Sequence, residues 1–296
     1  MDTPALKAFV MIAEHQSFSL AAEKLFITQP AISKRISGLE QSLHCQLFDR
    51  IGRNVVLTES GNALLPRASS ILREMEETRR AMSNLSGEVS GALSMGTSHH
   101  IGLHRLPIVL RQFTTQYPNV EMDLKFIDSE QAYDLIMQGK LELGVVTLPL
   151  SNPSPLKALH IWEDPLSIVV GQDHPLTKMK RLTLQDLSTH TAILPSETTF
   201  TRKLVEALFE EQNLNANVSI STNYLETIKM MVSIGLGWSV LPSAMVDNDI
   251  KKLIIPGFNV KRDLGVLYHP GHSLSNAAKA MLALLNSHQA NNHKVD

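Results

Sequence analysis

The chain has 296 residues, 43 % of them hydrophobic and 19 % charged, a balance that excludes intrinsic disorder and low complexity. Its 27 basic and 29 acidic side chains leave a net charge of −2, so nucleic acid or membrane would have to be met by a local patch rather than by a global field. The single cysteine, Cys45, excludes an internal disulfide framework, a cysteine-based zinc site and a two-cysteine redox switch within one chain.

The length suits two domains or three small ones. Met1-Asp2-Thr3-Pro4 lacks the basic start of an export signal and Lys7 interrupts the apolar run that follows, so a cytoplasmic protein is expected. The uncharged stretch 230–246 is too short to span a bilayer and is broken by Gly235, Gly237 and Pro242; it reads as a buried helix–turn–strand unit, with no membrane partner.

Leu6, Phe9, Val10 and Ala13 fall at i, i+3, i+4 and i+7 and predict a first helix. Ser19 is the expected N-cap of a short second helix over 20–25, whose Ala21, Ala22 and Leu25 allow close packing. After a tight connection at Phe26-Ile27, Thr28 caps a third helix over 29–43. Pro30 sits in its first turn, where a missing N–H costs nothing. Ile32, Ile36, Leu39 and Leu43 form its inner stripe, and Pro30, Ser33, Lys34 and Ser37 lie opposite. Two short helices on a tight turn, the second presenting small polar and basic residues, match helix-turn-helix geometry. In a major groove Gln29 suits an adenine edge and Pro30 a thymine methyl, with Ser33 and Lys34 reaching bases or phosphates. Two apolar runs, 47–48 and 55–57, flank a Gly- and Asn-bearing turn and predict a hairpin wing, with Arg50 and Arg53 placed for backbone or minor-groove contact.

The run Phe18-Ser19-Leu20-Ala21-Ala22-Glu23-Lys24-Leu25-Phe26-Ile27-Thr28-Gln29-Pro30-Ala31-Ile32-Ser33-Lys34-Arg35-Ile36 carries a resemblance. So do Leu39-Glu40, Leu47-Phe48-Asp49-Arg50 and Leu57-Thr58-Glu59-Ser60-Gly61. Together they resemble the LysR-type transcriptional regulators, with Ser60 standing where that family usually has alanine. The resemblance implies duplex promoter DNA as partner, and the residues assigned to it are Ser19, Thr28, Gln29, Pro30, Ser33, Lys34, Arg35, Arg50 and Arg53. Gly38 is a soft spot in the third helix, costing about 1 kcal/mol against alanine.

Thr58 is placed to cap the next helix, and Gly61 to let it approach the wing. Leu64, Ala68, Ile71, Met75, Thr78, Met82 and Leu85 alternate steps of four and three, the spacing of a coiled-coil seam. A homodimer or homotetramer is expected, with paired recognition helices on a pseudo-palindromic site. Gly87, Ser90 and Gly91 mark a hinge.

From residue 92 strands and helices alternate. Strands are read over 92–97, 120–127, 143–147, 161–171, 191–194, 218–221, 238–241 and 265–268. Helices are read over 103–117, 130–138, 201–212, 224–234 and 275–287. The alternation argues an α/β fold with mainly parallel sheets. The resemblance implies an effector region of two subdomains, like periplasmic solute-binding proteins, crossed twice by the chain near Trp162 and Gly265. The expected layout is a winged helix-turn-helix over 1–58, a linker helix and hinge over 59–90, and an effector-binding domain over 91–296. Within the last, 91–161 with 266–296 form one subdomain and 162–265 the other.

Ligands of such sheets sit at the C-terminal strand ends, where helix N-termini point. Those ends carry Thr97, Ser98, His99 and His100, then Ser129, then Thr147, and in the second half Thr199, Phe200 and Thr201. Hydroxyl donors beside helix N-termini suit a carboxylate or another small polar anion, so a small-molecule effector is expected. His100 and His104 stand at i, i+4, but no acidic residue or cysteine lies near them in sequence, so neither metal nor cofactor is expected. The position of Cys45 does not fit the peroxide-sensing branch of the family. The alternative, a metabolite-converting enzyme with a DNA-binding head, finds no G-x-S-x-G, P-loop, H-E-x-x-H or dinucleotide-binding glycine motif. No catalytic residue is assigned.

Overall fold

The structure, a computed structural model, describes the backbone of residues 1–51, 54–149 and 155–292, and their side chains except at 50, 51, 54 and 289–292. It divides into two compact units, Met1–Leu85 and Ser86–Asp296.

The first unit runs α1 (Thr3–His15), α2 (Phe18–Lys24), α3 (Gln29–Leu43), β1 (Phe48–Ile51), β2 (Asn54–Leu57) and α4 (Glu59–Asn84). Asp2 starts α1 by accepting the Ala5 N–H at 2.8 Å. Ser17, not Ser19, caps α2: its Oγ accepts the Leu20 N–H at 3.2 Å, and Ser19 lies exposed inside the helix. Both serines precede the apolar run; the earlier one wins because Phe18 is buried as the first helical residue. Thr28 caps α3, with Oγ1 accepting the Ala31 N–H. Of the predicted inner stripe, Ile32, Ile36 and Leu39 are buried against Phe9, Ile12 and Leu47, whereas Leu43 is exposed at the helix end. β1 and β2 pair antiparallel as the expected hairpin.

In α4 the seam divides. Ala68 is buried in the unit's own core, and Leu64, Leu65 and Leu72 pack against it. Ile71, Met82 and Leu85 remain exposed. Leu64 and Ala68 are thus intrachain contacts, a correction to a seam reserved for a partner helix: α1 lies alongside and takes up the first half of the apolar face. At Gly61 a Cβ would stand 2.2 Å from the Leu47 carbonyl oxygen and 2.9 Å from Leu57, so only glycine admits this approach to the wing.

The second unit runs β3 (Gly91–Thr97), α5 (His99–His104), α6 (Leu106–Gln116), β4 (Val120–Phe126), α7 (Ser129–Met137), β5 (Leu143–Thr147), β6 (Lys157–Gly171), α8 (Leu184–Ser188), β7 (Thr191–Leu194), α9 (Phe200–Glu210), β8 (Asn217–Ser221), α10 (Leu225–Ser233), β9 (Ser239–Pro242), β10 (Ile250–Leu253), β11 (Lys261–Tyr268) and α11 (Asn276–Asn292). The helix predicted over 103–117 begins earlier and breaks at Arg105. Pro107 lacks the N–H that would continue the ladder and biases the residue before it away from helix.

The expectation of mainly parallel sheets is wrong. β3 pairs in parallel with β4 and β5, and β7 with β8. β11 runs antiparallel to β5 and β6, and β6 antiparallel to β9 and β10. The reversal comes from β6 and β11, which pair with each other and run from one half of the unit to the other. The first part of β6 lies beside β11, whose far edge joins β5; its second part carries β9 and β10. A register shift falls at Leu264/Gly265, where a Cβ on Gly265 would meet the Leu159 carbonyl oxygen at 2.1 Å.

Two cores flank this crossing. One joins Leu93, Met95, Phe113, Val145, Val266 and Met281; the other joins Ile168, Val170, Leu194, Val205, Phe209 and Trp238. Among the described residues no helix is long and apolar enough to cross a membrane.

Candidate functional site

Two surfaces carry the residues singled out in the sequence. In the first unit α3 is built so that one face makes the core and the other is presented. Thr28, Gln29, Pro30 and Lys34 are exposed, and Ser33 and Arg35 are half-buried. The first-turn N–H groups of a helix are unpaired within it and favour an anion, and Thr28 Oγ1 takes up only one of them. Beside them Phe26, 96 % exposed and at φ 53°, ends the turn; its bulky side chain gave no sign in the sequence that it would lie in solvent. Arg50 is a strand residue of β1 opposite Val55. Its side chain and the whole of Arg53 lie outside the described residues.

In the second unit a cleft opens between the two cores. One wall carries Ser98, His99, His100, Asp128, Ser129, Glu130 and Thr147, and the other Pro195, Thr199, Thr201, Asn223, Leu225 and Arg262. Of the nine expected residues, seven meet there: Ser98, His99, His100, Ser129, Thr147, Thr199 and Thr201. Thr97 does not, and its place in the set is corrected. It is fully buried and its hydroxyl donates to the Val145 carbonyl at 2.8 Å, because the last residue of β3 still faces the sheet. Phe200 contributes its backbone: its N–H, in the first turn of α9, donates to Glu130 Oε1 at 2.7 Å across the cleft.

Several hydroxyls are already engaged. Thr199 Oγ1 caps α9 through the Arg202 N–H at 3.2 Å and donates to the Ser196 carbonyl. Ser129 Oγ accepts the Thr147 N–H at 3.1 Å. Ser98 starts α5 without a side-chain cap bond. His99 is exposed, its ring 4.7 Å from that of Tyr224 and 5.4 Å from that of Phe126.

The charged members of the cleft escaped sequence reasoning. Arg262 is buried; it donates through Nη1 to Thr201 Oγ1 at 3.0 Å and through Nε to Asp164 Oδ2 at 2.8 Å. Asp164 in turn faces Arg105 at 3.6 Å. Asn223 Nδ2 donates to Asp128 Oδ2 at 2.7 Å across the cleft. Burial raises the Glu130 carboxyl above its ordinary range, offset in part by the Phe200 N–H. His100 is lowered to about 4, by burial first and then by the Arg262 guanidinium, so its ring is neutral at pH 7. Partial burial pushes the Glu226 carboxyl up, but its own backbone N–H and His104 outweigh that and hold it low. Nothing local marked Arg262 and Asn223 as cleft residues, or Glu226 as the partner of His104, because these meetings arise only when distant segments come together. Asp128 and Glu130, beside the chosen Ser129, carried a usable signal: a helix N-terminus favours carboxylates.

Residues 4–62 match the family model for the bacterial regulatory helix-turn-helix protein, lysR family. Residues 86–290 match the model for the LysR substrate binding domain. The chain belongs to the LysR family. Over 285 residues it is 32 % identical to the HTH-type transcriptional regulator CbbR of Rhodospirillum rubrum, covering 95 % of this chain and 94 % of that one. Its fold is shared with full-length CbnR solved in complex with its target DNA, at TM-score 0.65 and 22 % identity, covering 98 % and 99 % of the two chains. The effector-binding domain of QuiR in complex with shikimate aligns at TM-score 0.62 and 22 % identity over 68 % of this chain and 98 % of that one. This LysR-type protein is a transcriptional regulator with an effector-binding domain, not an enzyme.

Proposed function

We propose that this regulator reads duplex promoter DNA through the leading turn of α3 and answers to a small anionic metabolite held in the cleft of its second unit. The carrying observation is that α3 exposes Gln29, Pro30 and Lys34 on one side while Ile32, Ile36 and Leu39 form the core on the other. That division leaves a rigid helix free to enter a groove. The DNA-contacting set is Ser19, Thr28, Gln29, Pro30, Ser33, Lys34 and Arg35, with Arg50 and Arg53 contributed by the wing. CbnR in its complex with target DNA supports this reading by analogy of fold.

The effector set is Ser98, His99, His100, Ser129, Thr147, Thr199 and Thr201, with the Phe200 backbone N–H. The chemistry is that of a carboxylate: Glu130 already places one against the first turn of α9, and Arg262 supplies a buried cation nearby. Shikimate, an acid, bound to the QuiR effector domain fits the same class. The working layout is 1–58 for DNA reading, 59–90 for the linker and 91–296 for effector binding, split as 91–161 with 266–296 and 162–265. The apolar residues left bare on α4 and at its C-terminal cap, Ile71, Met82 and Leu85, suit pairing with a second copy, giving a dimer or tetramer in the cytoplasm.

Retardation of duplex fragments from the gene's own upstream region, repeated across a salt series, tests the first half. A specific shift with a steep salt slope is expected, and equal affinity for unrelated duplexes would overturn it. A thermal-shift screen of carboxylate metabolites tests the second, since a ligand at 100 times its Kd adds about 2.7 kcal/mol. Failure of every acid alongside a response to neutral or cationic compounds would overturn the anion assignment.

A further inference from the structure

His100 and His104 stand one turn apart on α5 and face Glu226 in the first turn of α10, 122 residues beyond His104. His104 Nε2 lies 3.0 Å from Glu226 Oε1 and His100 Nδ1 lies 3.6 Å from the same oxygen. One donor atom from each of the three side chains falls within 4.8 Å of the others. Independently, the His100 side chain is only 7 % exposed and its Nδ1, among the described residues, has no hydrogen-bond partner. A buried imidazole nitrogen left unsatisfied costs free energy unless something meets it. The absence of an acidic partner near these histidines in sequence is therefore corrected by the fold, which brings one from the other side of the cleft.

We propose that His100, His104 and Glu226 form a binding site for a divalent transition cation of the zinc class, bridging α5 and α10. Zinc–nitrogen and zinc–oxygen bonds of about 2.0–2.1 Å in a tetrahedron place neighbouring donor atoms about 3.3 Å apart, and the two distances to Glu226 bracket that spacing. Two imidazoles with one carboxylate suit zinc, cobalt or nickel; magnesium and calcium prefer oxygen donors. Three protein ligands leave a fourth position for water. His104 and Glu226 are 45 % and 40 % exposed, which gives the ion a path in, while buried His100 fixes the inner vertex. An ion here ties one wall of the unit to the other, so its binding favours the arrangement in which α5 and α10 stay together.

The test is titration of the tag-free full-length protein with Co²⁺, followed by its visible absorption and by displacement with Zn²⁺. One equivalent per chain is expected at micromolar concentration, with the intense bands of tetrahedral nitrogen–oxygen coordination. His104→Ala and Glu226→Gln, both partly exposed and outside the proposed DNA contacts, should each weaken binding by roughly a hundredfold or more, since even outer-shell changes cost about 10–100-fold. His269→Ala removes the competing pair in which His269 and His272 stack at 3.9 Å, and should leave the titration unchanged. The site is wrong if the unmodified chain takes up no cobalt. It is equally wrong if the double variant His104→Ala/Glu226→Gln binds as the parent does, or if His269→Ala abolishes the signal. None of these readouts depends on which effector the cleft accepts.

Discussion

The two units place function differently. In the first, most of the residues proposed to meet DNA, from Thr28 to Arg35, lie at the leading end of one helix, joined by Ser19 of α2 and by the wing arginines, and the core that holds that helix is made from its opposite face. In the second, the cleft draws on β3–α5, the start of α7, the end of β5, the start of α9, the start of α10 and β11, spread over more than half the chain. A site on one element survives damage elsewhere and fails when its own surface changes. A site assembled from many elements fails when the elements shift, even if every contact residue is kept. Five substitutions sharpen or break that contrast.

The largest effect is expected from Arg262→Met. Among the described residues, it leaves the buried Asp164 carboxylate with Arg105 at 3.6 Å as its remaining ion-pair partner and removes the donor to Thr201. Breaking a buried ion pair on one side costs about 3–5 kcal/mol. Chemical denaturation should show that loss in the second unit alone, while the unfolding of Met1–Leu85 holds its midpoint. Equal loss in both would mean the units do not unfold separately.

Next is Lys34→Ala on the presented face of α3. Duplex affinity should fall by about tenfold and the salt slope by about one, with thermal stability unchanged. Unaltered affinity would remove Lys34 from the interface. A smaller effect separates two serines: Ser17→Ala should cost about 1 kcal/mol through loss of the α2 cap, whereas Ser19→Ala should leave unfolding within about 0.5 kcal/mol. If the costs are reversed, the cap is wrongly placed.

The smallest is pH-dependent. The Glu130 carboxyl is raised above its ordinary 4.5 in the folded state, so the fold holds that proton more tightly than the unfolded chain does. Its contribution is fully present below 4.5 and is lost as pH rises through the raised value. Glu130→Gln keeps an acceptor for the Phe200 N–H and should flatten this part of the stability–pH curve above 4.5, read by thermal melts across a buffer series. An unchanged slope would mean that another group titrates there.

The helix-turn-helix was legible because its signals are local. Thr28 as cap, Pro30 in the first turn and the stripe Ile32, Ile36, Leu39 are all decided within one or two turns of backbone. Most strands and helices of the second unit were equally legible, β5 and β7 to the residue. The missed helix α8 carried a readable mark, the reciprocal capping pair of Thr183 and Asp186. Strand β10 had little, since Lys251 and Lys252 are its exposed centre. Strand direction was not legible, because alternation of strand and helix does not say that β6 and β11 run from one half of the unit to the other against their neighbours. The cleft's hydroxyls were found from strand ends, but its charges were not. Thr97 was wrongly included because a strand's last residue points into the sheet or out of it according to register, which the neighbouring strand sets.

The order of residues alone thus determined most of the segments that curl, the cap that starts α3, and which face of α3 is free, since a helix answers to neighbours three and four positions away. Only the tertiary structure decided that Glu226 meets His104, that Arg262 lies beneath Thr201, and that Glu130 reaches the first turn of α9. Those meetings depend on how the sheets cross, and long-range packing leaves no trace in any short window of the chain.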